Sequence, residues 1–236
     1  MEKELEQQPM FAEELSERQV AVCVHYLKNL GLTPDDMQYV RTEMYDFDLF
    51  PVDIAIFKPS EAFDYWVITT VGLSEYYFNE NIARCELMMV VPKEWKPILD
   101  KEEHYWVVDM LRDIAYGIID NKKGLIPNQL YLLADLGAGE TFCKSTDAVG
   151  AIVTLPEMLP FSFLEGKIDG SFTRFLQLVP VTADNVSKIE EVGPAKFIEF
   201  DLHDSDGPKM VVTLKEKPLQ GIDKLVKQNE DSLNDK

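Results

Sequence analysis

Three neighbouring aspartates, Asp46, Asp48 and Asp53, are the residues whose type and spacing could carry out chemistry in this chain. Carboxylate oxygens are the ligands that Mg²⁺ prefers, and a bound divalent ion can activate a water molecule for hydrolysis. No histidine stands in the same segment to act as a general base. The enzymatic hypothesis is therefore a metal-dependent hydrolase that uses these three aspartates.

Other catalytic and cofactor-binding patterns are missing from the sequence. It has no phosphate-binding loop, no paired-cysteine motif, no zinc-binding helix motif and no nucleophile elbow. Segment 204–207 looks like part of a calcium loop, but Leu202 and Thr213 stand where that loop requires carboxylates. No two histidines are four residues apart, and all three are typical of structural or exposed positions: His25, His104 and His203. No cofactor is predicted.

The charge of the chain favours some partners over others. Lys and Arg number 23 against 42 Asp and Glu, which gives a formal net charge of −19. Phosphate backbones would be repelled, so we expect no nucleic-acid binding. Residues 34–64 are especially acidic, and a field of one sign speeds the approach of a basic partner. The alternative is a solvated acidic surface that only keeps the protein soluble.

Three features predict a cytoplasmic protein that does not bind membranes. The N-terminus has no charged segment followed by an apolar one, as a signal peptide would. No apolar run approaches the roughly 20 residues of a membrane span. Cys23, Cys85 and Cys143 are odd in number and typical of free thiols in a reducing compartment. We expect one domain over 16–219, between a flexible acidic N-terminus (1–15) and a charged tail (220–236).

Two apolar, β-branched runs place the centre of a sheet. The runs 66–71, closed by Gly72, and 87–91, closed by Pro92, are typical of strands buried on both faces. A strand over 52–56 alternates in polarity, which predicts one exposed face, and a hairpin should join it to 66–71. Further strands are predicted over 131–136, 151–155, 172–181 and, as a final hairpin, 198–202 with 210–214.

Helix signals flank these strands. Ser16 and Gln19 form a capping-box pattern for a helix that ends at Gly31, and another helix runs from Thr182 to residue 189. The first helix should bury Val20, Cys23, Val24, Leu27 and Leu30. A long helix after residue 100 is capped by Gly124. Its apolar stripe is Trp106, Val107, Met110, Leu111, Ile114 and Ile118. We expect this helix to pack across the sheet, with Trp66 and Trp106 buried.

The order of these segments resembles a known family. VDIAIFKP, WVITTVGLSE, ELMMVVPKEW, a Trp-bearing helix ending in DIAYG, and FLQLVPVTADNV follow one another as in the Suppressor-of-fused domain. The most specific piece is TVGLS at 70–74, which is similar to the family's Thr-x-Gly-Met-Ser, with Leu73 in place of the methionine. The family motif residues are Trp66, Thr70, Gly72, Ser74 and Trp95.

This resemblance has implications for fold and function. It implies an α+β fold, a single α/β sandwich with a mixed, largely antiparallel sheet and packed helices. It also implies a role in protein–protein contact without catalytic activity. The stand-alone bacterial type implies an immunity protein that neutralises a cognate toxin, and a basic toxin would suit the charge of −19.

Two segments that mix carboxylates with aromatic rings form the candidate partner-binding surface. They comprise Glu43, Tyr45, Asp46 and Asp48 before one strand, and Glu75, Tyr76 and Tyr77 after the next. If these strands are antiparallel neighbours, both segments lie at the same end of the sheet. Tyrosine is common among interface hot spots, and the carboxylates would steer a basic partner. The alternative is two ordinary loops with their rings turned inward.

Overall fold

The described residues form one eight-stranded sheet with helices on both faces, and a separate two-stranded sheet near residue 205. A computed structural model describes residues 15–42, 51–77, 84–93, 102–133, 140–204 and 207–208. Its strands are β1 (Met37–Val40), β2 (Asp53–Phe57), β3 (Tyr65–Val71), β4 (Arg84–Pro92), β5 (Gln129–Leu132), β6 (Ala148–Thr154), β7 (Glu165–Ile168), β8 (Ser171–Thr182), β9 (His203–Asp204) and β10 (Gly207–Pro208). Its helices are α1 (Glu17–Leu30), α2 (Glu102–Asn121), α3 (Phe161–Leu164), α4 (Ala183–Val192) and α5 (Pro194–Asp201), with 3-10 turns at Pro34–Asp36 and Leu73–Glu75. Within these residues no helix is long and apolar enough to cross a membrane.

The sheet is mixed and largely antiparallel, as expected from the resemblance. Its order is β1-β2-β3-β4-β8-β6-β5, with β7 paired to β8. All of these pairs are antiparallel except β4 and β8, which run parallel. The predicted pairing of β2 with β3 is confirmed, and Asp53 lies opposite Val71. The chain entering β2 and the chain leaving β3 therefore meet at one end of the sheet.

The central strands are buried on both faces. Alternate residues of β2, β3 and β4 divide between two apolar clusters, one containing α2 and the other containing α1. In β2, Ile54 and Ile56 belong to the first cluster, and Ala55 and Phe57 belong to the second. The predicted exposed face of this strand is therefore wrong, since all five of its residues are buried. Helix α1 covers the face that the polarity pattern assigned to solvent.

Helix α1 begins and ends where the sequence predicts. The Ser16 hydroxyl accepts from the Gln19 N–H at 3.0 Å, and the Gln19 side chain accepts from the Ser16 N–H at 3.0 Å. Gly31 then adopts a left-handed φ of 66°. This capping box and glycine stop satisfy backbone groups that a helix leaves unpaired at its ends.

The buried face of α1 differs in part from the predicted one: Cys23, Leu27 and Leu30 are buried as predicted, but the other two residues are not. Val20 and Val24 are 38% and 53% exposed, whereas Val22 and Tyr26 are completely buried. The helix is turned toward Tyr26 because that ring stacks on Phe57 with 5.0 Å between the ring centroids. Large aromatic contacts with the sheet outweigh the burial of two valines.

His25 on the same helix is expected to make the free energy of unfolding depend on pH. Its ring stacks on Phe175 with 4.4 Å between centroids, and its Nε2 lies 3.0 Å from Phe163 O. Burial lowers the pKa of His25 from its usual 6.5. The unfolded chain therefore binds the proton at a higher pH than the folded protein does, and protonation favours unfolding. The stability contributed by a neutral His25 is complete above about pH 6.5 and falls as the pH drops toward the lowered pKa.

We therefore expect wild type to lose more stability than His25→Phe when the pH is lowered from about 7.5 to about 5. Urea unfolding at both pH values measures the free energy of unfolding of each protein. Groups that titrate in both proteins contribute equally, so they cancel when the two proteins are compared. A difference that stays constant with pH would contradict the burial of a neutral ring.

The apolar stripe predicted for α2 is confirmed. Its six residues, including Trp106, are buried in the cluster that the helix forms with the sheet. The end of the helix differs, because Lys122 rather than Gly124 takes the left-handed conformation, with φ 51°. The N–H groups of Lys122 and Lys123 donate to Ile119 O and Ile118 O. This pair of bonds satisfies the last carbonyls before the chain reaches Gly124.

Trp66 is half-buried, so the prediction that it is buried is wrong in part. Its ring packs against the α2 cluster, but its indole N–H donates to Lys93 O at 3.1 Å near the surface. Trp66 lies near the beginning of β3, where the sheet reaches solvent.

The later elements exist as predicted except for the last one, but several of their bounds differ. Strand β8 lies where the sequence predicts, β6 begins three residues earlier and α4 ends three residues later. The prediction for β5 is wrong at both ends, because this strand begins two residues earlier and ends at Leu132. The predicted strand at 198–202 is wrong, because Pro194–Asp201 is helix α5. Pro194 stands at the first helical position, where its missing N–H is not needed, and Phe197 and Ile198 pack with Ile152 of the sheet. Residues 134–136 and 210–214 lie outside the described residues.

Candidate functional site

The TVGLS segment turns the chain sharply where β3 ends. We call Gly72–Tyr77, which follows β3, the motif loop. Gly72 has φ +116°, and a Cβ added there would lie 2.5 Å from Pro51 O and 3.0 Å from Gln19 Nε2. Glycine is needed because this conformation and this close approach exclude a side chain. The 3-10 turn Leu73–Glu75 then carries the loop across the end of β4.

Two side chains of β4 hold the backbone of the motif loop. Glu86 accepts from Gly72 N–H at 3.1 Å and from Ser74 N–H at 3.0 Å through the same oxygen, Oε1. Its Oε2 accepts from the Thr70 hydroxyl at 2.6 Å. Arg84 donates to Ser74 O at 2.6 Å and to Glu75 O at 2.8 Å. Because these residues are two apart on one strand, both point to the same face. Glu86 accepts hydrogen bonds from N–H groups of the loop, and Arg84 donates hydrogen bonds to its carbonyl oxygens.

Helix α1 holds the loop from the other side. The Ser16 hydroxyl donates to Glu75 Oε1, and Arg18 Nε lies 3.8 Å from Glu75 Oε2. The buried Arg18 guanidinium also donates to Ile168 O at 3.2 Å and to the Ser171 hydroxyl at 2.6 Å. The first turn of α1 therefore connects the motif loop to the β7–β8 hairpin.

Glu86 is enclosed in the sheet and is the most deeply buried carboxylate of this network. It is 0% exposed, and this burial raises its pKa, although its bonds to Thr70, Ser74 and Gly72 favour the charged form. Desolvation prevails because no described cation lies within ion-pair distance of the carboxylate. Nearby, burial raises the pKa of both Cys23 and Cys85 to about 12, so neither thiol supplies a nucleophile at neutral pH.

The structure places the three loop residues predicted for partner binding in different environments. The Glu75 carboxylate is engaged by Ser16 and Arg18 and is 17% exposed. Tyr76 is partly buried against the α2 cluster. Tyr77 is 55% exposed, and the Arg84 guanidinium lies 5.2 Å from its ring centroid. Tyr77 is thus the member of this trio that presents most of its ring to solvent.

The other predicted contact residues, Glu43, Tyr45, Asp46 and Asp48, lie outside the described residues. The register of β2 against β3 brings Val52 to the end of the sheet where the motif loop begins. The geometric condition for joining the two segments is therefore met. Whether the first segment touches the loop stays a prediction.

Asp53, the third carboxylate of the hydrolase hypothesis, has a structural role. It is 4% exposed, and its two oxygens accept from the Tyr39 hydroxyl at 2.9 Å and the Thr42 N–H at 2.7 Å. These bonds tie β1 and the chain that follows it to the start of β2. Among the described residues there is no group of three His, Cys, Asp or Glu side chains that could hold a metal ion. The structure gives the hydrolase hypothesis no support.

Sequence reasoning identified the loop motif but missed the residues that anchor it. Thr70 and Ser74 are completely buried, and Trp95 lies outside the described residues. The missed anchors are Arg84 and Glu86. The available signal was a charged residue at alternate positions of an otherwise apolar strand, RCELMMVV, because a charge buried inside a sheet requires specific partners.

Comparisons with known proteins identify the family of the chain. Residues 48–214 match the family model described as suppressor of fused protein. This chain belongs to the suppressor of fused family. The motif loop, Glu86 and Arg84 all lie inside the matched range. Suppressor of fused proteins form an interaction and regulatory family without enzymatic activity.

Solved suppressor of fused structures share the fold. A homologue from Neisseria gonorrhoeae is similar with a TM-score of 0.56 and 16% identity, over 84% of this chain and 98% of that chain. The structure of the Sufu–Fu complex is similar with a TM-score of 0.57 and 14% identity, over 84% of this chain and 90% of that chain. No curated protein gives a significant match. At these identities the structures show a common fold.

Proposed function

We propose that this suppressor of fused protein is a non-enzymatic binding module that neutralises a basic protein toxin in the cytoplasm. The family match over residues 48–214 carries the binding part of this proposal. A similar structure, that of the Sufu–Fu complex, contains a family member bound to another protein. The net charge of −19 supports a basic partner, because a strongly acidic protein attracts one and repels nucleic acid.

The proposed contact surface lies at the end of the sheet where β2 begins and β3 ends. It combines the exposed ring of Tyr77 with Glu43, Tyr45, Asp46 and Asp48. Tyrosine provides contact area at low conformational cost, and the carboxylates accelerate the approach of a cation. Glu75 contributes less than expected, since Ser16 and Arg18 already bind its carboxylate.

The test begins with the product of the gene adjacent to this one. If that product is a toxin, co-expression of this protein should restore growth of cells that express it. The double variant Asp46→Lys with Asp48→Lys should fold normally, and its association rate constant at low salt should be lower than that of wild type by a factor of about ten or more. The factor should be smaller at high salt, because ions screen the charges. Stopped-flow association at two salt concentrations measures this.

A matched control changes the net charge equally at another place. Glu190 and Glu191 are exposed on α4, which follows the opposite end of β8 from the motif loop. Glu190→Lys with Glu191→Lys should slow association less than the first pair. Equal slowing by both pairs would show that only total charge matters and would remove this surface from the proposal.

A further inference from the structure

The motif loop has its backbone fixed from inside the sheet. Glu86 is fully buried on β4, yet its three hydrogen bonds go to Thr70 at the end of β3 and to Gly72 and Ser74 of the loop. The Thr70 hydroxyl in turn accepts from Leu87 N–H at 2.9 Å. The carboxylate therefore connects the loop to the hydrogen bonds between β3 and β4.

The groups around Glu86 indicate that its role is to accept hydrogen bonds and not to pair with a cation. Burial together with the charge of Glu86 raises the pKa of Cys23, Tyr26, Tyr39 and Cys85, so these four groups are neutral at pH 7. The nearby cations are engaged elsewhere: Arg84 with loop carbonyls and Arg18 with the β7–β8 hairpin. Glu86 thus serves the loop as a hydrogen-bond acceptor, and no cation of the described residues forms an ion pair with it.

We propose that Glu86 is the positioning residue of the contact surface: its carboxylate fixes the motif loop and thereby the place of the exposed Tyr77 ring. The loop would otherwise present two buried N–H groups without acceptors, which is unfavourable. Arg84 completes the arrangement, because it binds Ser74 O and Glu75 O and lies against the Tyr77 ring. The role of the loop as a contact surface rests on the proposed function, whereas its positioning by Glu86 does not.

Three variants distinguish the loss of the hydrogen-bond acceptor, the loss of its charge and the loss of the fold. Glu86→Gln keeps an oxygen for Gly72 and Ser74 and an amide for Thr70, so it should preserve the loop. Glu86→Ala removes the acceptor. Thr70→Val removes one donor to Glu86 and the acceptor of the Leu87 N–H but leaves the Glu86 carboxylate in place, and it is the second variant if Glu86→Ala does not fold. Thr154→Val is the control, because Thr154 is a buried strand threonine that bonds Gln177 O at 3.4 Å instead of the loop.

Amide hydrogen exchange of the free protein tests the positioning. We expect exchange at Gly72 and Ser74 to rise at least about tenfold in Glu86→Ala, relative to the Ile152 amide of β6 as a reporter of global unfolding. A smaller rise is expected in Thr70→Val, and none in Glu86→Gln or Thr154→Val. The Tyr77 ring resonance should shift only in the variants whose loop amides exchange faster. Unchanged exchange at Gly72 and Ser74 in both Glu86→Ala and Thr70→Val would overturn the proposal.

Association with the adjacent-gene product forms a second, separate measurement. The proposal is supported if Thr70→Val associates more slowly than wild type while Thr154→Val and Glu86→Gln associate at the wild-type rate. If the loop amides exchange faster while association is unchanged, Tyr77 does not lie in the contact surface and the proposal fails at that step. If wild type does not bind the product at all, the proposed function fails, and the exchange data still decide the role of Glu86.

Discussion

Replacement of Trp106 by alanine is expected to lower the free energy of unfolding by about 3–5 kcal/mol. Trp106 is 3% exposed and packs in the cluster formed by α2 and the sheet, so truncation removes a large apolar contact and leaves a cavity. Domains are typically stable by only about 5–15 kcal/mol. Trp106→Ala should therefore yield little soluble protein, and urea or thermal unfolding of the soluble part should show the loss.

Phe200→Ala provides the matched control for this experiment. Phe200 is also an aromatic residue on a helix, but it is 69% exposed, so its truncation should change stability by no more than about 0.5 kcal/mol. A Trp106→Ala protein that melts within a few degrees of the Phe200→Ala protein would contradict the burial of the α2 stripe.

Gly72→Ala is expected to have the second large effect, for a different reason. The positive φ of +116° strains any residue with a Cβ, at a cost of about 1–3 kcal/mol. The new methyl group would also lie 2.5 Å from Pro51 O, and relief of such overpacking typically costs about 1–3 kcal/mol more. The total is about 2–6 kcal/mol, measured by equilibrium unfolding in urea.

Gly170→Ala separates the two causes. Gly170 also has a positive φ, +74°, but a Cβ there would meet nothing within 4 Å. Its substitution should therefore show the backbone strain alone, about 1–3 kcal/mol, and should leave the motif loop unchanged. Equal losses for Gly72→Ala and Gly170→Ala would mean that the contact with Pro51 relaxes without cost.

The elements determined by local patterns could be predicted from the sequence. The capping box at Ser16 and the stop at Gly31 are confirmed because their hydrogen bonds close within one turn of chain. The α2 stripe is confirmed because one apolar face at helical spacing needs a single partner surface. The family motif was also readable, since Gly72 must be glycine wherever the chain turns with this φ.

Errors arose where a distant element decided between two local possibilities. Residues 198–202 alternate in polarity like a strand, but Pro194 and the contact of Phe197 and Ile198 with Ile152 favour a helix. Val20 and Val24 of α1 were expected inside, yet Tyr26 determined the rotation of the helix by stacking on Phe57. Such contacts join residues far apart in sequence, and no local pattern contains them.

The sequence by itself determined the family, the mixed sheet with packed helices, and the net charge of −19. Only the tertiary structure decided how the motif loop is held. Glu86 is 14 residues from Gly72 along the chain, and the two meet because the turn after β3 folds back over β4. Arg18 reaches the β7–β8 hairpin across more than 150 residues. Polar contacts of this kind depend on the register of strands and the placement of a helix, which exist only once the sheet is assembled.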